Sequence, residues 1–317
     1  MINDIPPPFE NEHIHSVLAR FNVLEGRVDF RKTLRELIPQ DKELNNKFVW
    51  RTNFEGIWCR YQNILDRSLL LQQHTSFHFD ACFLPTKTVE KIVAGPCTEK
   101  VGYSGIKNVF NSHVWRWCPD CVDENGIEFG MRFWHMLHQI PTIAHCPKHE
   151  IRLNYACPKC EFAQTKLVNY ELPPAQNQCP KCHNPLPYCI EEIGEESAWL
   201  QTLTTELIER SPISKMTEIR TALKNVMLLP NLEDQLSKFD RKKLQSCQSL
   251  LLASVVSGDY REYFTLGDSD EKRVAIPYSL SPIYLIYREH IYPPLCYLAL
   301  LRLFLKRSEV SSLLLGS

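Results

Sequence analysis

The chain has almost no net charge: 36 Lys and Arg stand against 37 Asp and Glu, leaving −1 at pH 7. That excludes a histone-like binder held by bulk charge, but not nucleic acid read by a local basic face. It also lacks a Gly-rich phosphate loop, a Gly-x-Ser-x-Gly elbow and any paired-carboxylate cluster, so the common catalytic signatures are missing. No apolar run is long enough to span a bilayer; the run at 295–305 is short and interrupted by Arg302. Ile5-Pro6-Pro7-Pro8 stands where a signal peptide would need its apolar stretch. These absences predict a cytoplasmic protein with no membrane partner, in a reducing compartment. What remains is ordinary for a globular chain: 317 residues, 44% hydrophobic and 23% charged, enough for two or three domains.

The thirteen cysteines are not scattered like a disulfide scaffold. Seven fall in one stretch with a histidine, as two tandem sets. The first reads Trp115-Arg116-Trp117-Cys118-Pro119-Asp120-Cys121 and then Cys146-Pro147-Lys148-His149; the second reads Cys157-Pro158-Lys159-Cys160 and then Cys179-Pro180-Lys181-Cys182. A Cys-x-x-Cys pair holds two thiolates about 3.5–4 Å apart, as two corners of a tetrahedral zinc site require. Proline after the first Cys pre-sets φ for a tight knuckle. A redox dithiol sits between a strand and a long helix and does not recur in a ladder. The pattern therefore predicts two Zn2+ ions, one on Cys118, Cys121, Cys146 and His149, the other on Cys157, Cys160, Cys179 and Cys182. Four protein ligands close each site, so both metals are expected to be structural, supplying on the order of 10 kcal/mol each to a module with little apolar core. A zinc nucleobase deaminase would need His-x-Glu with Pro-Cys-x-x-Cys, which is not present. The chain is expected not to be an enzyme. His135, His138 and His145 beside the first set are read as packing groups, as are His74 and His78.

Around this stretch the periodicity is helical, so the fold class expected is mainly α. Three parts are expected: a helical N-terminal domain (1–113), a central tandem zinc-binding module (114–190) and a helical C-terminal domain (191–317). In the first, Asn11 is placed to cap a helix over 12–24 with Ile14, Val17, Leu18 and Phe21 on one stripe. Glu12, Ser16 and Arg20 lie on a separate line. Gly26 ends that helix and Asp29 caps a second, closed by Pro39, with Arg31, Lys32 and Arg35 on its outer face. This is a helix-turn-helix pattern. A further helix is expected over 54–65, a short one ending near Gly95, and a turn at Gly102 to Gly105. The C-terminal part is read as helices over about 197–210, 214–229, 233–256 and 295–306. With no net positive charge, DNA contact must come from local patches: Arg31, Lys32 and Arg35, then Arg116 and Arg132 around the first zinc set, and Lys159 and Lys181 in the second.

These residues resemble one family, the TniQ/TnsD target-selection proteins of transposons that insert at programmed sites. The resemblance begins at Pro8, Phe9, Glu12, Ser16 and Arg20 and continues through His74-Thr75 and Phe77. It is strongest at Arg116 to Cys121, Gly130, Trp134, His138-Gln139, Cys146 to His149 and Leu153, and covers roughly half of the chain. Tyr292-Pro293-Pro294-Leu295-Cys296-Tyr297-Leu298 resembles the TnsD branch. The resemblance implies a zinc-finger protein of DNA recombination that binds a double-stranded DNA attachment site and recruits the AAA+ ATPase TnsC, with other transposase subunits. In the TniQ branch of CRISPR-associated transposons it implies an adaptor on an RNA-guided complex instead. TnsD proteins run longer than this chain, which points to a C-terminally truncated or a short member.

Overall fold

A computed structural model describes residues 5–27, 29–37, 52–95, 109, 114–165, 167, 172–264 and 280–316. The Gly102 to Gly105 turn, Pro39 and Cys97 lie outside these residues. The described chain is mainly helical; among the described residues there are isolated β-bridges but no strand. None of its helices is long and apolar enough to cross a membrane. By internal contacts it forms two units. The first takes in Met1–Phe77, Lys91–Lys100 and Asn111–Gln201; the second takes in His78–Glu90, Val101–Phe110 and Thr202–Ser317.

In the first unit α1 (Ile14–Leu24) is the central helix. Its N-cap is His13, whose Nδ1 accepts from the His15 N–H at 3.2 Å, so the helix starts two residues later than its sequence pattern suggests. Asn11 is instead in a left-handed turn, φ 60°. The expected single apolar stripe understates α1, which is buried on every side from Ile14 to Asn22. Its polar residues are buried with partners. Arg20 forks onto Glu12 (Nε–Oε1 3.2 Å, Nη2–Oε2 3.0 Å), donates to the Pro7 carbonyl at 2.6 Å and lies over the Phe9 ring. Ser16 Oγ accepts from the Trp134 N–H at 3.0 Å. The cysteine-rich stretch thus packs directly on α1: His13 N–H donates to Trp134 O and Met136 N–H to Asn11 O, both at 2.8 Å.

Gly26, at φ 60°, ends α1 in the left-handed geometry glycine tolerates. Asp29 Oδ1 caps α2 (Phe30–Leu37) by accepting from the Arg31 and Lys32 N–H groups at 3.0 and 3.3 Å. Helix α3 (Thr52–Tyr61) stops short of its expected end, and Ile64 is exposed in the turn that follows. Helix α4 is Arg67–His74. His74 packs, as its neighbours suggest, with Nδ1 2.7 Å from the Glu12 carbonyl. Next in the chain come α5 (Phe77–Ala81) and α6 (Thr86–Ala94).

Helix α8 (Glu195–Glu209) starts in the first unit and continues into the second, which holds α9 (Met216–Val226), α10 (Lys238–Val256), α11 (Pro282–Tyr287), α12 (Pro294–Arg302) and α13 (Arg307–Leu315). Helix α10 begins at the Ser237/Asp240 capping box rather than at Glu233, because only there are its first amides capped. Every residue of α12 from Pro294 to Leu301 is buried, so it is the core of this unit. Helix α12 ends at Arg302, short of the 306 that periodicity suggested, and α13 is a further helix beyond that span. His78 Nδ1 lies 2.7 Å from the Arg210 carbonyl, again a packing histidine.

Candidate metal centres

The two halves of the first cysteine set are built differently. Cys118 is the N-cap of α7 (Pro119–Glu128), with Pro119 in the first turn, where its missing N–H costs nothing. Its sulfur accepts from the Cys121 N–H at 3.5 Å. The half at Cys146 is a closed loop: Cys146 N–H donates to Ile151 O and Glu150 N–H to Cys146 O, both at 2.8 Å.

The second set uses that loop twice. Cys157 pairs with Phe162 O and Glu161 N–H returns to Cys157 O; Cys179 pairs with Asn184 O and His183 N–H returns to Cys179 O, all at 2.8–2.9 Å. Each loop is closed by one β-bridge, at His145–Arg152, Ala156–Ala163 and Gln178–Pro185. The residue after each pair, Glu150, Glu161 or His183, has φ of 56–58°. Left-handed backbone at a non-glycine costs of order 1 kcal/mol and survives where its surroundings over-determine it. Here two backbone hydrogen bonds, one on each side of the ligand pair, do so.

The loops bring the eight ligand-type atoms into two groups, Cys118/Cys121/Cys146/His149 and Cys157/Cys160/Cys179/Cys182, each spanning less than 4.8 Å. In the first, His149 Nδ1 lies 3.3, 3.3 and 3.6 Å from the sulfurs of Cys118, Cys121 and Cys146, and Cys121 Sγ lies 3.5 Å from Cys146 Sγ. In the second, Cys157–Cys182 and Cys160–Cys179 are 3.7 and 3.6 Å apart. Zn–S bonds of about 2.3 Å and Zn–N bonds of about 2.0 Å give tetrahedral edges of roughly 3.5–3.8 Å. Both donor sets therefore have the size and chemistry to hold zinc, with no fifth position left open by the four ligands. The Asn184 side-chain amide holds the Cys182 thiol below its ordinary range, while the sulfurs crowded around Cys160 and Cys121 raise theirs, so in the absence of a cation the thiolates of each set compete.

Two residues beside the centres were not singled out by the sequence pattern. Glu124 Oε1 lies 3.1 Å from His149 Nε2, and its Oε2 accepts from Lys148 Nζ at 2.6 Å. Asn184 Nδ2 lies 3.2 Å from Cys182 Sγ, while its Oδ1 accepts from Lys159 Nζ at 2.9 Å. Their signal was in the spacing: Glu124 is one helical turn after Cys121, and Asn184 lies two residues after Cys182. The extra histidines have packing partners, and His135 and His138 also form with Cys121 a third group of ligand-type atoms within 4.8 Å, overlapping the first centre. Asn125 Nδ2 donates to His135 Nε2 at 2.8 Å, and burial pushes His135 down to about 3. His135 stacks on Phe133 and lies 4.8 Å from the His138 ring; both histidines lie near Cys121, while His145 is buried.

The candidate DNA contacts do not share one setting. Arg31, Lys32 and Arg35 are exposed on α2, and Lys181 is exposed on its loop. Lys159 is exposed but bonded to Asn184. Arg132 is half-buried and donates to the Pro173 carbonyl at 2.9 Å. Arg116 corrects the expectation: it is buried, its guanidinium donates to the carbonyls of Ile143 and Ile140, and Gln139 brackets its backbone. Taking the side chain to a phosphate would strand those carbonyls, so Arg116 is a core residue.

Comparison with known proteins fits this arrangement. Residues 5–153 match the family described as TniQ. The match contains the whole first centre and ends before the second. The Escherichia coli "Transposon Tn7 transposition protein TnsD" is 26% identical over 158 residues, covering 47% of this chain and 30% of the relative. The matched stretch thus spans less than a third of the length of that relative.

Proposed function

We infer, from the match of residues 5–153 to the TniQ family, a target-site selector of a transposon, a non-enzymatic protein that binds a DNA attachment site and recruits the AAA+ ATPase TnsC. The observation that carries the reading is the overlap of the family match with one continuous piece of packing. The Glu12–Arg20 pair, Ser16, Trp134 and the first centre all fall inside residues 5–153, and α1 bonds Glu12 through Arg20 and the Trp134 N–H through Ser16. In this reading the two zinc ions perform no chemistry. They fix the loops of a stretch that has few apolar side chains of its own, and through Trp134 they fix the surface around α1. DNA is met by Arg31, Lys32 and Arg35 on α2 and by Lys181, with Lys159 and Arg132 near enough to the surface to add phosphate contacts. The helices of the N-terminal half, the zinc-bearing middle (114–190) and the helical remainder (191–317) would divide the work of partner binding and site reading.

The test is a footprint of the purified, zinc-loaded chain on DNA flanking the transposon insertion point, with TnsC pull-down from the same sample. Protection of one site and retention of TnsC are expected. Protection seen only when an RNA-guided complex is added would move the protein to the CRISPR-adaptor role. Neither protection nor TnsC retention under any of these conditions would overturn the reading.

A further inference from the structure

Both centres share an arrangement that the ligand pattern does not contain. In each, one polar side chain holds a metal-ligating residue with one of its atoms and a knuckle lysine with another. At the first centre the residue is Glu124. It comes from α7, on the Cys118/Cys121 side, and reaches across to His149 Nε2 (3.1 Å) and Lys148 Nζ (2.6 Å) on the opposite loop. At the second it is Asn184, which follows Cys182, donates to that sulfur (3.2 Å) and reaches across to Lys159 Nζ (2.9 Å) in the opposite loop. Two unrelated side chains in two differently built sites thus make the same connection.

We propose that Glu124 and Asn184 are the positioning residues of the two centres, each clamping the two halves of its site together and orienting one ligand, with Lys148 and Lys159 as the far ends of the clamps. The inference rests on zinc occupying the sites. At the first centre the metal side of His149 is Nδ1, which faces the three sulfurs, so Nε2 carries the proton and donates it to Glu124 Oε1. A carboxylate behind a ligating imidazole fixes the tautomer and ring orientation and strengthens its donor nitrogen. At the second centre an N–H···S bond draws charge from the Cys182 thiolate, while Asn184 Oδ1 fixes the Lys159 ammonium beside a cluster of thiolates. Two knuckle lysines then point back at their own metal sites, and Lys181 is the one of the three for which the structure draws no such clamp.

The experiment uses the full chain, loaded with zinc or cobalt, and the variants Glu124→Gln, Asn184→Ala, Asn184→Asp and, as a control, Lys181→Met. Zinc affinity is read for each centre by competition with a chromogenic chelator, and the sulfur-to-cobalt charge-transfer band is recorded. Asn184→Asp keeps the size and the acceptor for Lys159 but replaces the N–H that bonds the Cys182 sulfur and carbonyl with a charged oxygen, so read beside Asn184→Ala it separates loss of that donor from loss of packing. Glu124→Gln is expected to weaken one centre about 10–100-fold, and both Asn184 variants to weaken the other by a similar factor. The Asn184 variants should also shift the charge-transfer band to lower energy, and Lys181→Met should change neither readout. Wild-type affinity and an unmoved band in the Glu124 and Asn184 variants would overturn the proposal while leaving zinc in place. A wild-type chain that fails to bind two metal ions would instead overturn the zinc reading on which it stands.

Discussion

Glu12→Ala is the substitution whose cost can be worked most directly from the structure. The Glu12 carboxylate and the Arg20 guanidinium are both buried, with side-chain exposures of 0% and 4%. Removing the carboxylate deletes two charge-assisted bonds to Arg20, and a third from the Phe9 N–H at 2.9 Å. The arginine cannot escape to water, because it stays bonded to Pro7 O and stacked on Phe9. Breaking a buried pair by deleting one partner costs about 3–5 kcal/mol. The orphaned Phe9 amide adds about 1 kcal/mol. Urea titrations followed by tryptophan fluorescence are suited to the measurement, since Trp115 packs 4.9 Å from His13 and Trp134 bonds Ser16 on α1. A loss of roughly 5 kcal/mol is expected, or about 15 °C in Tm for a unit of this size. Arg20→Lys should also be costly, because an ammonium cannot make the fork and the Pro7 contact together. Replacing both residues with leucine and methionine should cost less than either single change. A Glu12→Ala loss below about 1 kcal/mol would refute the view that this pair pins residues 7–12 onto α1.

Metal analysis of the purified chain should give two zinc ions, and Cys118→Ser and Cys179→Ser should each lose one and lower the melting temperature; zinc-replete variants with wild-type melting would contradict this. Burial holds His13 and His74 below the usual imidazole range of about 6.5. The unfolded chain therefore takes up protons first, so stability should be level above about pH 6.5 and fall below it, by up to about 1.4 kcal/mol per pH unit for each histidine. His74→Gln should flatten that fall in urea midpoints measured across pH 7.5 to 5.5, and parallel curves for variant and wild type would count against it. On DNA, Arg31→Ala or Arg35→Ala should cost roughly 1–3 kcal/mol on the matched site and less on a scrambled one, if either reads a base. Equal losses on both sites would make them phosphate contacts. Lys181→Ala should weaken both sites alike by up to about 1 kcal/mol and lower the salt slope by about one.

The metal-ligand groups were legible without coordinates because a knuckle is local: four consecutive residues set the sulfur spacing, and only the pairing of knuckles is left to the fold. The helix boundaries at Gly26, Asp29 and the end of α10 were legible for the same reason, since caps act within one turn. Residue spacing also put Glu12, Ser16 and Arg20 on one line, but could not say that the line faces inward. Only tertiary structure decided that, because burial of α1 on all sides depends on Trp134 and Met136 arriving from more than a hundred residues away. The same distance explains Arg116. A cationic side chain next to a metal loop reads as a surface contact in sequence, and its acceptors, Ile140 and Ile143 O, become neighbours only when the chain returns. Glu124 and Asn184 show the same division. Their types and positions were visible from the start, but a carboxylate three residues past a cysteine is ordinary until His149 and Lys148 are folded against it.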